Sequence, residues 1–115
     1  MPSDGAKSML TKAQVEALRR RLEEERARIL RVLRAPAAMA PSDDPQTELE
    51  EAAQRETERT RELEIAARER ALLAEVERAL AKLGAGTYGL SEKTGAPIPY
   101  ERLAAMPWAR HGVDE

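Results

Sequence analysis

The side chains able to do chemistry are few, and most of them are acids. Cysteine is absent and there is one histidine, His111, with Asp114 and Glu115 just beyond it. One imidazole among exposed carboxylates makes a poor zinc site, because structural zinc takes four thiolate or imidazole ligands. Ser91, His111 and Asp114 supply the residue types of a hydrolytic triad. No nucleophile elbow surrounds Ser91 and no oxyanion-donor set accompanies it, so the chain is not expected to be an enzyme and no cofactor is implied. Glu48 and Glu51 are more informative. Three residues apart on a helix, they share a face, and near a helix start both favour the positive end of its dipole. Arg19, Arg20 and Arg21 stand beside a Glu-rich run, and nineteen basic against twenty-one acidic residues leave a net charge of -2. That is no basic face, which argues against direct, sequence-specific DNA binding.

These residues need elements to carry them. Glu48 to Leu83 is a run of thirty-six residues without proline or glycine, crowded with Glu, Arg, Ala and Leu. It predicts one helix of about 54 Å, longer than any globule that 115 residues can build, so most of it must project or lie along a partner. The partner is Lys12 to Arg34. Thr11 with Gln14 forms a capping box at its start, and Val15, Leu18, Leu22, Ile29, Val32 and Leu33 draw an apolar seam one helix wide. The opposite face, with Arg19, Arg20, Glu23, Glu24 and Arg31, reads as a solvated mixed-charge surface carrying a Glu24–Arg28 pair. Between the two runs, Pro36, Pro41 and Pro45 interrupt any helix. They mark the tip of a hairpin, with Asp43 or Asp44 capping the second arm and Pro45 in its first turn.

Antiparallel arms leaving that tip would set Leu33 near Leu49, Ile29 near Ala53, Leu22 near Thr60, and Leu18 near Leu63 or Glu64. Gln54 to Glu62 offers almost nothing apolar, so rigidity there is expected from helix propensity and from pairs such as Glu51–Arg55 and Glu64–Arg68, each contributing about 0.2–0.5 kcal/mol. In this alignment Leu72, Leu73, Val76, Leu80 and Leu83 lie beyond the first helix and need cover from the last thirty residues. Gly84 is expected to end the helix as a left-handed cap. Tyr88, Leu90, Ile98, Leu103, Met106, Trp108 and Val113 are the apolar anchors that follow, with a short helix from Tyr100 to Ala105 before Pro107. The chain thus divides into a flexible start (1–10), a helical hairpin (11–83, tip at 35–47) and a small module (84–115). A 42% apolar composition with three aromatics suits an elongated, mainly α protein better than a thick core. No apolar run nears the ~20 residues of a membrane span, and Met1 to Leu10 lacks the apolar segment of a secretory signal, so a cytoplasmic protein without a membrane partner is expected.

Tyr88-Gly89, Gly95, Pro97-Ile98-Pro99, Arg102-Leu103, Ala105, Pro107 and Ala109 follow the long helix in a frame that resembles the DksA/TraR family of RNA polymerase regulators. The resemblance covers Glu48 to Glu115 without a gap and the first helix by pattern. It implies a long antiparallel coiled-coil hairpin with a small zinc-finger-like module. The family holds that module with two CxxC pairs separated by seventeen residues. Here the four positions are Ser91, Thr94, Gly112 and Glu115, so the expected module has no metal and must be held by packing. Ile98, Leu103, Met106 and Trp108 against Val76, Leu80 and Leu83 are the expected core, in which truncating Trp108 to Ala would cost about 3 kcal/mol or more.

The same frame carries the family's tip acids and small residue onto Glu48, Glu51 and Ala53, each acid a methylene longer than the family's aspartate. It implies a bacterial regulator with a conservatively altered tip, which enters the secondary channel of RNA polymerase and modulates initiation. Of the basic residues that contact the alarmone ppGpp in the stringent response, only Arg68 is carried over, since Ala71 and Glu75 replace its neighbours; this argues against alarmone binding. The chain also stops at Glu115, short of the family's C-terminal helix on the polymerase rim, which implies a weaker hold. A monomer is expected. The competing reading is a helical interaction protein that kept the scaffold but not the polymerase role, self-associating through the Leu72 to Leu83 face.

Overall fold

The computed structural model describes residues 9–35 and 44–112. Most of the 1–10 start, the centre of the 35–47 tip with Asp43, and Val113, Asp114 and Glu115 lie outside the described residues. Three helices follow in order: α1 (Lys12–Arg34), α2 (Pro45–Ala85) and α3 (Tyr100–Ala105). Among the described residues there is no strand, only an isolated antiparallel bridge between Leu90 and Pro97. The molecule measures 71 × 25 × 21 Å, a shape dictated by the length of α2.

Local signals in the sequence account for the helix ends. Thr11 and Gln14 close the capping box, each side chain taking the other's backbone N–H at 3.0 Å. Asp44 caps α2 by accepting from Gln46 N at 3.0 Å, with Pro45 in the first turn, where its missing N–H costs nothing. The far end differs from expectation. Gly84 stays inside the helix, and Gly86, at φ +80°, is the left-handed cap. There Thr87 N–H reaches back to Lys82 O at 2.9 Å and Gly86 N–H to Leu83 O, the paired bonds of a Schellman motif.

The alignment of the arms is the larger correction. An end-to-end hairpin would set Arg28 beside Gln54, yet its guanidinium holds Glu69 at 2.8 Å, a slide of fifteen residues (69 − 54), or about four turns. Arg26 reaches further still toward the base of α2, to Glu77 at 3.0 Å. The reason is where α2 keeps its apolar side chains. Sliding α1 toward the base brings Leu18, Leu22 and Ile29 into one cluster with Val76 and Ala79, instead of facing the polar run around Thr60. Burial of that cluster stabilises the slid alignment by far more than surface ion pairs could oppose. Leu72, Leu73, Leu80 and Leu83 are therefore not beyond the reach of α1; they pack on the shared core. Val32, expected in the seam, is 39% exposed at the end of α1. Arg28 also pairs with Glu25 rather than Glu24, and among the described residues Glu64 and Arg68 form no ion pair.

The module completes the core. Ile98 and Leu103 are fully buried beside Tyr88 and Ala109, in the cluster that holds Leu18, Leu22 and Val76. Met106 and Trp108, expected at its centre, are half-buried and pack on its edge. The Tyr88 phenol donates to Pro107 O at 2.8 Å, and burial pushes its pKa up to about 12. Arg21 on α1 donates to Ala104 O at the end of α3, tying the first arm to the module.

Candidate functional site

Because α1 stops level with residues 59–66, where Val32, Leu33 and Ala35 face Leu63 and Ala66 across a groove of about 370 Å³, the first turns of α2 extend past it. Leu49 is 74% exposed on this stretch. Glu48 lies in the first turn of α2 and is exposed; its N–H donates to Asp44 O at 2.6 Å. Glu51 is half-buried and stands 3.9 Å from Arg55, one turn further on. Ala53 is exposed, and its carbonyl accepts from the Thr57 hydroxyl at 3.2 Å. Asp44 adds another negative charge at the cap, its carboxyl held below the ordinary range by hydrogen bonds from the Thr47 side chain and from the backbone N–H groups of Gln46 and Thr47. Both acids singled out in the sequence thus share the leading end of α2. An acid-rich helix start of this kind is stabilised by the dipole, and it presents carboxylates to a cation or a polar partner without any group poised for covalent chemistry.

Arg68 is exposed on α2, away from that end. Its neighbour Ala71 is exposed, and Glu75 is held by Arg110, whose Nε lies 2.7 Å from its carboxylate.

At the other end stand the positions that the resemblance aligns with metal ligands. Ser91 is 4% exposed, and its hydroxyl accepts the backbone N–H groups of Lys93 and Thr94, each at 3.1 Å. Thr94 Oγ1 accepts from Ala96 N at 3.2 Å, and Ser91 N–H reaches Ala96 O at 2.8 Å, so the loop closes on itself through oxygen. Gly112 offers no side chain, and Glu115 lies outside the described residues. Hydroxyls already engaged with amides and a bare glycine do not fit a zinc ion. Among the described residues no three His, Cys, Asp or Glu side chains stand together as a metal-binding group. His111 is half-buried and apart from any such cluster.

Sequence reading missed the charges that join module to helix. Glu92 takes Arg78 at 2.6 and 2.7 Å and Lys82 at 3.3 Å; these cations, the first above all, hold its carboxyl at about 2. The signal was present as an acid and two bases at positions 75, 78 and 82, one face of α2, but their partners lie in loops that have no periodicity to read.

No family model matches this chain. It is 32% identical over 102 residues to the RNA polymerase-binding transcription factor DksA of Caulobacter vibrioides, covering 88% of this chain and 72% of that protein. It is 61% identical over 46 residues to General stress protein 16O of Bacillus subtilis, a match spanning 40% of this chain and 28% of that relative. The solved structure of transcription factor DksA2 from Pseudomonas aeruginosa superposes with a TM-score of 0.64 at 31% identity, covering 98% of this chain and 86% of that one. The slender helical hairpin on a small irregular module is thus an architecture this chain shares with that transcription factor structure. The chain belongs to the DksA family. No helix among the described residues is long and apolar enough to cross a membrane.

Proposed function

We propose that this protein binds RNA polymerase and modulates transcription initiation by passing the leading end of α2 through the secondary channel of the enzyme. Glu48 and Glu51 are the acting carboxylates on this reading, and Ala53 keeps the adjoining surface small. One observation carries it: the acids stand on the part of a 41-residue helix that outreaches its partner arm. The name of the Caulobacter relative, an RNA polymerase-binding transcription factor, supports the choice of partner. A molecule 71 Å long and no more than 25 Å wide suits entry into a narrow passage. The protein works as a cytoplasmic monomer and catalyses no reaction; its carboxylates alter the electrostatic surroundings of the polymerase active centre. Arg68 remains the candidate alarmone contact, but with Ala71 beside it and Glu75 engaged by Arg110, regulation does not require ppGpp.

The test is transcription in vitro with core polymerase and the double variant Glu48→Ala/Glu51→Ala. Copurification with polymerase should persist and the effect on initiation should vanish. A variant that still regulates normally would remove the acids from the mechanism.

A further inference from the structure

The module is fastened to α2 by two ion-pair clusters of opposite polarity. Along one face of the helix stand Glu75, Arg78 and Lys82, at spacings of three and four residues. Glu75 receives Arg110, which leads into the second former ligand pair, and Arg78 with Lys82 receives Glu92, which sits inside the first. The two loop segments are joined directly by Glu92 N–H donating to Arg110 O at 2.8 Å. Lys82 Nζ also reaches Leu90 O at 3.4 Å. The clusters feel each other: Arg110 is influenced by Arg78 and Glu92 as well as by its own partner Glu75.

A zinc ion bound by two CxxC pairs would join the segment around 91–94 to the segment around 112–115. Here, besides the direct Glu92–Arg110 backbone bond, the same two segments are joined through α2, by charges arranged minus, plus, plus on the helix and plus, minus on the loops. Displacing the module along α2 by one turn would bring Glu92 toward Glu75, or Arg110 toward Arg78, so only one docking position is neutralised throughout. Apolar burial of Ile98 and Leu103 drives docking but is not directional; the charges choose the position.

We infer that Glu75–Arg110 and Arg78/Lys82–Glu92 form an electrostatic latch that takes the place of a bound ion, so that ionic strength, and not metal supply, sets how firmly the module is docked. The inference does not rest on polymerase binding. Exposed charge pairs weaken as the screening length shortens from roughly 14 Å at about 0.05 M salt to roughly 4 Å at about 0.5 M.

Backbone amide exchange in the full-length protein tests this. The amides of Glu92, Gly95 and Ile98, all bonded within the module, should exchange roughly fivefold faster at about 0.5 M than at about 0.05 M NaCl, while mid-helix amides of α1 and α2 change little. Glu92→Gln should reproduce the faster exchange at low salt and lose most of the salt response, with the helices unaffected. EDTA or added zinc should leave the wild-type pattern unchanged. Exchange indifferent to both salt and Glu92→Gln would overturn the latch, leaving apolar packing alone to hold the module. Slower exchange on adding zinc would overturn the claim that an ion has been replaced.

Discussion

The two ends of α2 are built on opposite principles. From Pro45 to about Arg61 the helix has no buried residue, and its visible interactions are local: a cap, an i,i+4 ion pair, and hydroxyls folded back on the preceding turn. From Leu72 to Leu83 it is wrapped by α1 on one side and the module on the other, with Val76 fully buried. Stability is therefore concentrated at the base, and the leading end depends on helix propensity and continuity with that base. The acids can vary there without disturbing the fold.

The contrast breaks most sharply under core truncation. Leu103→Ala should destabilise by about 2–5 kcal/mol, whereas Leu49→Ala, with its side chain already in water, should stay within about 0.5 kcal/mol. Thermal unfolding of both variants measures this directly, and comparable losses would deny the asymmetry. Trp108→Ala should fall between them, at about 1–2 kcal/mol, because the indole packs on the rim of the core rather than inside it. A smaller effect comes from the Tyr88 phenol. Removing its hydroxyl in Tyr88→Phe leaves Pro107 O without that donor and should cost about 1 kcal/mol. Its pKa, raised in the fold from an unfolded value near 10 to about 12, also sets a pH dependence. The stabilisation it gives is fully present below pH 10 and is lost as pH rises from 10 toward 12. An alkaline melt should show module unfolding in that window, and Tyr88→Phe should remove the transition. A change of similar size is expected at the helix end, where Gly86→Ala places a Cβ in the left-handed region and should cost about 1 kcal/mol, against a near-neutral or stabilising Gly84→Ala inside the helix.

Much of this architecture could be read from the chain. Thr11 with Gln14, Asp44 before Pro45, and the Tyr100–Ala105 helix all rest on short-range rules, and the structure has them. The slide of the arms could not be read so easily. Starting the alignment at a tight tip put Leu22 opposite Thr60, although the thin seam that resulted was itself a warning: the apolar side chains around Val76 were left seeking a cover that α1 could supply. The cap moved from Gly84 to Gly86 because both glycines fit a helix end and only backbone geometry chooses between them. In the sequence Trp108 stands out by size, whereas the hydrogen bond that accompanies the burial of Tyr88 leaves no mark there. The ion pairs of Glu92 and Arg110 join a helix to irregular loops, where sequence carries no spacing rule.

Contact between the leading end of α2 and the polymerase interior is the claim on which the functional account turns. A photocrosslinking residue at position 49, beside Glu48 and already solvent-exposed, should capture the polymerase subunits that line the secondary channel and active centre, while the same residue at position 71, on the exposed face near the base, should not. Crosslinks to the outer surface of polymerase from position 49, or none to polymerase at all, would contradict it.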